Sequence, residues 1–178
     1  MECIKKDSPL WMYLSEYQRG LLLDGEELCN HVSHISDNIS DYSFLVFPFA
    51  KAYEGFLKQF LLDLDFIQED EYYGDDIRIG RIMNPHYLKN NRNSLFDRMC
   101  NYKNGGEALA KRIWNVWRRG RNEVFHYFPH NFRKLTYNEA LEIIKEIIEV
   151  MNLLVVKCDL DTSNPKSANL TEKVLTIK

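Results

Sequence analysis

This sequence predicts an all-α fold, an up-and-down bundle of four to six helices, and three observations carry the prediction. Apolar residues recur at three-to-four spacing in four stretches, each long enough for a helix with one buried face. With 8 Gly and 5 Pro in 178 residues, the chain is too poor in turn formers for an all-β domain. Start and stop signals also sit where the periodic stretches begin and end. The length suits one domain, expected over residues 1–158, with an irregular loop insertion at 67–92 and a polar tail at 159–178.

In chain order, Ser8-Pro9 is an N-cap and first-turn pair, and Leu10, Tyr13, Leu14, Tyr17, Leu21 and Leu28 follow at helical spacing. Gly25 is a candidate break, with Asp24 capping a second piece, so one long or two consecutive helices are expected up to residue 36. Asp41 or Ser43 can cap the next helix, to about Phe66, with Pro48 near its start. Its apolar face is Phe49, Ala52, Tyr53, Phe56, Leu57, Phe60, Leu61 and Leu64. Lys51, Glu54 and Lys58 lie opposite, and Glu54 to Lys58 has the spacing of a favourable ion pair. Residues 67–92 lack clear periodicity. Ile77, Ile79 and Ile82 alternate with polar residues, which admits a short strand or hairpin. A short helix over 93–101 and a turn at Asn104-Gly105-Gly106 come next.

The helix from Gly106 or Glu107 to about Tyr127 has an apolar stripe of Leu109, Ile113, Val116, Gly120 and Val124, and Pro129 stops it. Gly120 on that stripe suits close approach of a neighbouring helix. Thr136-Tyr-Asn-Glu139 is a capping box and opens the best helix of the chain, to about Lys157. The end, Val174 to Ile177, is read as frayed or as a short docked segment.

Composition narrows the function classes. Net charge is −3, so no global field favours nucleic acid, yet charge is unevenly spread. Seven Lys or Arg lie between Lys111 and Lys134 against one acid, Glu123, whereas Asp63 to Asp76 holds seven acids and no base. The acidic run reads as a solvated loop, or as a shield over a basic cleft. Cys3, Cys29, Cys100 and Cys158 form no CxxC pair, so buried free thiols in a reducing cytoplasm are expected rather than zinc or disulfides. The first residues lack the apolar run of a signal peptide, and no apolar stretch reaches the roughly 18–20 residues of a membrane span. Gly-rich phosphate loops, nucleophile elbows, HExxH and EF-hand patterns do not occur, so no cofactor or metal is expected.

The densest chemistry lies in Trp114 to Phe128, which holds two tryptophans, three arginines and a histidine. Metal-independent RNA cleavage needs a base for the 2′-OH, a cation for the charge on phosphorus and an acid for the leaving 5′-oxygen. Histidine suits proton transfer, and arginine offers a fork matched to phosphate oxygens. His126 and Arg121, with Asn122 between them, supply these types. Arg118, Arg119, Lys58 and Tyr127 are candidate RNA contacts, and Trp114 and Trp117 could stack bases if exposed. Geometry constrains this site. At about 100° per residue, Arg121 and His126 stand about 140° apart on a straight helix. The helix must therefore end or bend near Phe125, or Arg119 is the partner, or a second subunit completes the site.

Arg121-Asn122-x-x-x-His126 resembles the R-x4–6-H signature of the HEPN superfamily. Phe49-Ala-Lys-Ala-Tyr-Glu-Gly-Phe-Leu-Lys58 resembles the helix that accompanies it, most like the HEPN domain of RNase LS-type toxins. The resemblance covers residues 42–64 and 106–156. It implies a helical bundle, a homodimer whose two signature segments share one cleft, and metal-independent endoribonuclease activity. It further implies a toxin or phage-defence role with a possible antitoxin partner. By position, Arg121 and His126 would be catalytic, Asn122 the polar residue after the arginine, and Glu54 the acid of the second helix. Arg119 also fits, as R-x6-H. Where some relatives carry Tyr two residues after the histidine, this chain has Phe128, with Tyr127 one position early. The alternatives are a non-catalytic HEPN-like module binding RNA, nucleotide or protein through its basic face, and a purely structural partner-binding bundle.

Overall fold

A computed structural model describes residues 4–34, 39–74, 77–85, 95–102, 106–163 and 165. Among these residues there are eight α-helices and no strand: α1 (Pro9–Tyr13), α2 (Glu16–Val32), α3 (Phe47–Asp63), α4 (Glu69–Tyr73), α5 (Ile79–Ile82), α6 (Leu95–Cys100), α7 (Gly106–Trp117) and α8 (Tyr137–Lys157). Four of them, α2, α3, α7 and α8, exceed ten residues and build the bundle. The count exceeds the expected four to six because α4 and α5 occupy the stretch read as irregular. No strand forms at Ile77 to Ile82. Ile79 and Met83 instead turn one helical face into the core. The turn expected at Asn104-Gly105 and the segment Val174 to Ile177 lie outside the described residues.

Helix α3 is the centre of the packing. Eleven of its seventeen residues are buried, and it touches α2, α8, α4, α5 and the segment after α7. Its polar groups inside the core are satisfied. The Tyr53 hydroxyl donates to the Ile113 carbonyl of α7 at 3.2 Å, and Gln59 Nε2 donates to the Tyr13 carbonyl at 2.9 Å. The Tyr13 hydroxyl donates to Asp63 Oδ2 at 2.6 Å. Burial and the Asp63 carboxylate push that phenol far above its ordinary range, so it stays protonated and remains a donor.

The first long stretch is two helices, but the break is at Ser15, not Gly25. The Ser15 hydroxyl accepts from Gln18 N, and Gln18 Oε1 accepts from Ser15 N, a reciprocal box that starts α2 cleanly. Gly25 stays helical because the ring of Phe49 fills the space beside it. A Cβ there would lie 2.5 Å from Phe49 Cε2. Glycine at this point lets α2 and α3 approach.

Neither Asp41 nor Ser43 caps α3, which starts after Val46 without a side-chain cap; Asp41 instead braces the 3-10 turn Ser43–Leu45 ahead of it, accepting from Ser43 N at 2.9 Å and Ser43 Oγ at 2.6 Å. The same carboxylate reaches across the fold to accept from Leu135 N at 3.1 Å and Asn131 Nδ2 at 2.9 Å. This clamp holds the loop that follows the arginine-rich segment, where His130 and Asn131 both adopt left-handed backbone with φ of 59° and 49°. Such conformations cost about 1–3 kcal/mol each outside glycine, and the Asp41 bonds offset part of that.

The capping box at Thr136 forms as expected. Cys29 and Cys158 are free and buried, Cys100 is free and partly buried, and Cys3 lies outside the described residues. Burial raises the Cys158 thiol to about 11. Among the described residues no helix is long and apolar enough to cross a membrane.

Two glycines of α2 give a paired test. A methyl added at Gly20 would meet nothing within 4 Å, whereas one added at Gly25 would meet a fully buried ring. Gly20→Ala is expected to stabilise the protein by about 0.5–1 kcal/mol through helix propensity. Gly25→Ala is expected to destabilise it by about 1 kcal/mol net, overpacking outweighing the same gain. Denaturant midpoints check both signs.

A second test concerns the clamp. Burial opposes ionisation of Asp41, but hydrogen bonds from Ser43, Asn131 and Leu135 outweigh it and hold the carboxyl at about 2. Its contribution to stability is therefore complete above the ordinary aspartate value of about 3.9 and is lost as pH falls through about 2. Asp41→Asn is expected to lower stability at neutral pH by about 1–2 kcal/mol and to flatten the acid limb of the stability–pH profile over that window.

Candidate functional site

The arginine-rich segment does not continue α7 as a straight helix. After Trp117 the backbone takes a π turn over Arg118–Glu123, and helical structure ends at Phe125, two residues before Tyr127. A π turn closes its hydrogen bonds at i→i+5 in place of i→i+4. Positions five apart within such a turn lie closer to one face, but His126 stands beyond both the turn and the helix end, so Arg121 and His126 are not on one continuous helix. Gly120 sits inside the turn and faces α8. A Cβ there would lie 3.0 Å from Ile147 Cδ1, so glycine permits the approach that the sequence suggested.

The two candidate arginines leave the turn on opposite sides. Arg119 bridges to Glu146 and to Glu142 of α8, the latter at 3.8 Å. Arg121 faces α3, its Nε 3.5 Å from Glu54 Oε2, with its guanidinium over the Trp117 ring at 5.5 Å. Trp117 cannot stack bases, because it is buried against Tyr53 and Gly80. Among the described residues its indole N–H has no hydrogen-bond partner. It serves as a fixed shelf for Arg121. Trp114 is partly buried as well.

Around the Arg121–Glu54 pair lies an open cleft of about 220 Å³ lined by Phe47, Ala50, Lys51, Glu54, Arg121 and Phe125. Phe47 and Phe125 meet edge to face with ring centroids 5.5 Å apart, yet remain 53% and 38% exposed. His126 follows Phe125 directly. It is exposed and has no hydrogen bond or ion pair to a described residue. Tyr127 beyond it is 78% exposed. Asn122 and Lys58 are partly buried and also have no ion pair or hydrogen bond among the described residues. Glu54 pairs with Arg121 and not, as the i, i+4 spacing suggests, with Lys58, because Arg121 approaches it from the neighbouring element. Phe47, Lys51 and Phe125 line the site without having been expected there. The signal was available for the first two, since Phe47, Lys51 and Glu54 at i, i+4 and i+7 share one helical face.

The basic run is largely neutralised. Lys111 pairs with Glu107, Arg112 with Glu149, Arg118 and Arg133 with Glu123, Arg119 with two acids of α8 and Arg121 with Glu54. Only Lys134 of the seven lacks such a partner among the described residues. The expected basic face is therefore an ion-paired face, because Glu54 and three acids of α8 fold onto it and add to the nearby Glu107 and Glu123. Arg133 also stacks on Phe128 at 4.0 Å beside a second cleft of about 400 Å³, which includes Arg119, Glu123 and Lys134. Among the described residues no three His, Cys, Asp or Glu side chains are grouped to hold a metal ion.

No protein-family profile, characterised protein or solved structure matches this chain significantly.

The Glu54–Arg121 pair is about one-third exposed or more on both sides, a setting in which an ion pair contributes about 0–1 kcal/mol. Glu54→Gln is accordingly expected to leave the unfolding midpoint within that margin. A loss above about 2 kcal/mol would make the pair a structural element and remove the case for a functional one.

Proposed function

We propose that this chain is a HEPN-like, metal-independent endoribonuclease, with Arg121 and His126 as its catalytic pair. The observation that carries the reading is the cleft at the end of the π turn. It holds a guanidinium steadied by Glu54 and Trp117, and the next residue after its wall is an exposed histidine. Arg121 is favoured over Arg119 because Arg119 is engaged by two α8 carboxylates and lies on the other side.

In this scheme Arg121, with Lys51 beside it, holds the scissile phosphate and stabilises the charge that builds on its oxygens. His126 takes the 2′-OH proton, O2′ bonds to phosphorus, and the bond to the 5′-oxygen breaks. The products are a 2′,3′-cyclic phosphate and a 5′-hydroxyl, the latter taking up a proton. One copy has one histidine in the segment, so a homodimer with two such segments facing a shared cleft supplies the second proton-transfer group. Asn122, Arg118, Lys58 and Tyr127 border the path of the strand. A toxin or phage-defence effector in a reducing cytoplasm, restrained by an antitoxin protein, fits this activity. The ion pairing of the arginines favours a second reading, a non-catalytic helical module that binds RNA, nucleotide or protein.

One experiment separates them. Wild type and His126→Ala are incubated with single-stranded RNA in EDTA. Cleavage by wild type to cyclic phosphate ends, reduced about 10²–10⁴-fold in the variant, is expected. Equal binding by both without cleavage would leave the non-catalytic module as the function.

A further inference from the structure

We infer that the Phe47–Phe125 cleft is a nucleobase pocket that accepts one unstacked base of single-stranded RNA and selects for guanine. The inference rests on RNA as the ligand of the Arg121 site and adds how that site would choose among sequences.

Three features of the cleft fit a nucleotide. The first is an aromatic platform that the fold leaves open. Phe47 is the first residue of α3 and remains 53% exposed, although the rest of that helix is the most buried in the bundle. Its contact with Phe125 is edge to face, and in that arrangement the ring presenting its edge keeps both faces clear of the other. Aromatic rings at such sites stack unpaired bases.

The second feature is size and charge. At about 220 Å³ the cleft is smaller than the roughly 300–1,000 Å³ of sites for drug-sized ligands. It suits one flat ring system with its phosphate left outside. Lys51 is exposed on the rim, has no ion pair among the described residues, and stands beside Arg121. The rim is cationic where a backbone phosphate would lie, and the floor at Ala50 is apolar.

The third feature is an acceptor facing the same space. Glu54 meets Arg121 through Oε2 at 3.5 Å, longer than a good hydrogen bond, and its carboxylate has no other ion pair or hydrogen bond to a described residue. A carboxylate only accepts hydrogen bonds when ionised. It therefore favours a base edge that offers donors. Guanine alone presents an imino N–H next to an amino group on one edge, whereas adenine and cytosine present acceptors beside their amino groups. Glu54 would thus have two duties, steadying Arg121 by its charge and offering its carboxylate oxygens to the two donors of the base edge.

The test reads binding without chemistry, so it is separate from the test of cleavage. Guanosine, adenosine, cytidine and uridine 5′-monophosphates are titrated into wild type, Phe47→Ala, Phe47→Trp and Glu54→Gln by calorimetry, with circular dichroism to verify the fold. Wild type should bind guanosine monophosphate at least about five-fold more tightly than the others. Phe47→Ala should lose at least about five-fold, the lower end of a lost base–aromatic stack, and Phe47→Trp should restore it. Glu54→Gln should retain binding but lose the preference. Equal affinity for all four nucleotides, or no loss in Phe47→Ala, would overturn the inference even if RNA is cleaved. Nucleotide preference without RNA cleavage would support the pocket and count against the catalytic scheme alone. A Phe47→Ala protein that changes only its oligomeric mass would overturn the pocket in favour of a contact between two copies.

Discussion

Helix α3 is buried around so much of its circumference that its neighbours must be shaped to it. Phe49 demands a glycine on α2, Gln18 lies against Gly55, and Tyr53 spends its hydroxyl on the backbone of α7. What remains of α3 for solvent is one narrow stripe, Phe47, Lys51, Glu54 and Lys58. The segment after α7 meets that stripe, and the meeting of Arg121 with Glu54 follows from it. The candidate site is in this sense what is left once the core has been satisfied. Its chemistry is confined to the few positions that packing does not claim.

The helical class of the fold and some element boundaries were legible because they depend on local signals. The Thr136 box, the Ser8–Pro9 start and the apolar stripe from Leu109 to Gly120 are read from neighbouring residues and appear in the structure as expected. Errors arose where distant residues decided. Gly25 looks like a helix break by propensity, yet Phe49 makes it a packing requirement. The alternating isoleucines from Ile77 suggest a strand, but burial of Ile79 in a mixed core selects a helical turn.

The site divides in the same way. That Arg121 and His126 could not share one face of a straight helix was deducible from angle alone, and the helix is indeed not straight there, with a π turn at Arg118–Glu123 and an end at Phe125. Neither residue spacing nor helix propensity specifies a π turn at Arg118–Glu123. The pairing of Glu54 with Arg121 in place of Lys58, and the pairing of Arg112 and Arg119 with acids of α8, likewise depended on residues far away in the chain. A count of charges along a sequence window sees the bases and misses their partners.

That neutralisation alters what the arginines can do. Basic proteins are drawn to any polyanion because each free cation that neutralises a phosphate releases counter-ions condensed on the polyanion, and a guanidinium already held by a carboxylate of the same molecule neutralises a phosphate less fully. A phosphate approaching Arg121 or Arg119 must instead share the guanidinium with an internal carboxylate held at high effective concentration by the fold. For any phosphate ligand such a surface would be an ion exchanger with a built-in competitor. Diffuse negative charge is a poor opponent for that competitor. A single phosphate presented in bidentate geometry, and anchored by a second contact nearby, is a strong one. If phosphates are the ligands of this surface, the acids that cancel its positive field would be a filter, passing ligands of the right shape and discouraging those that bring charge alone.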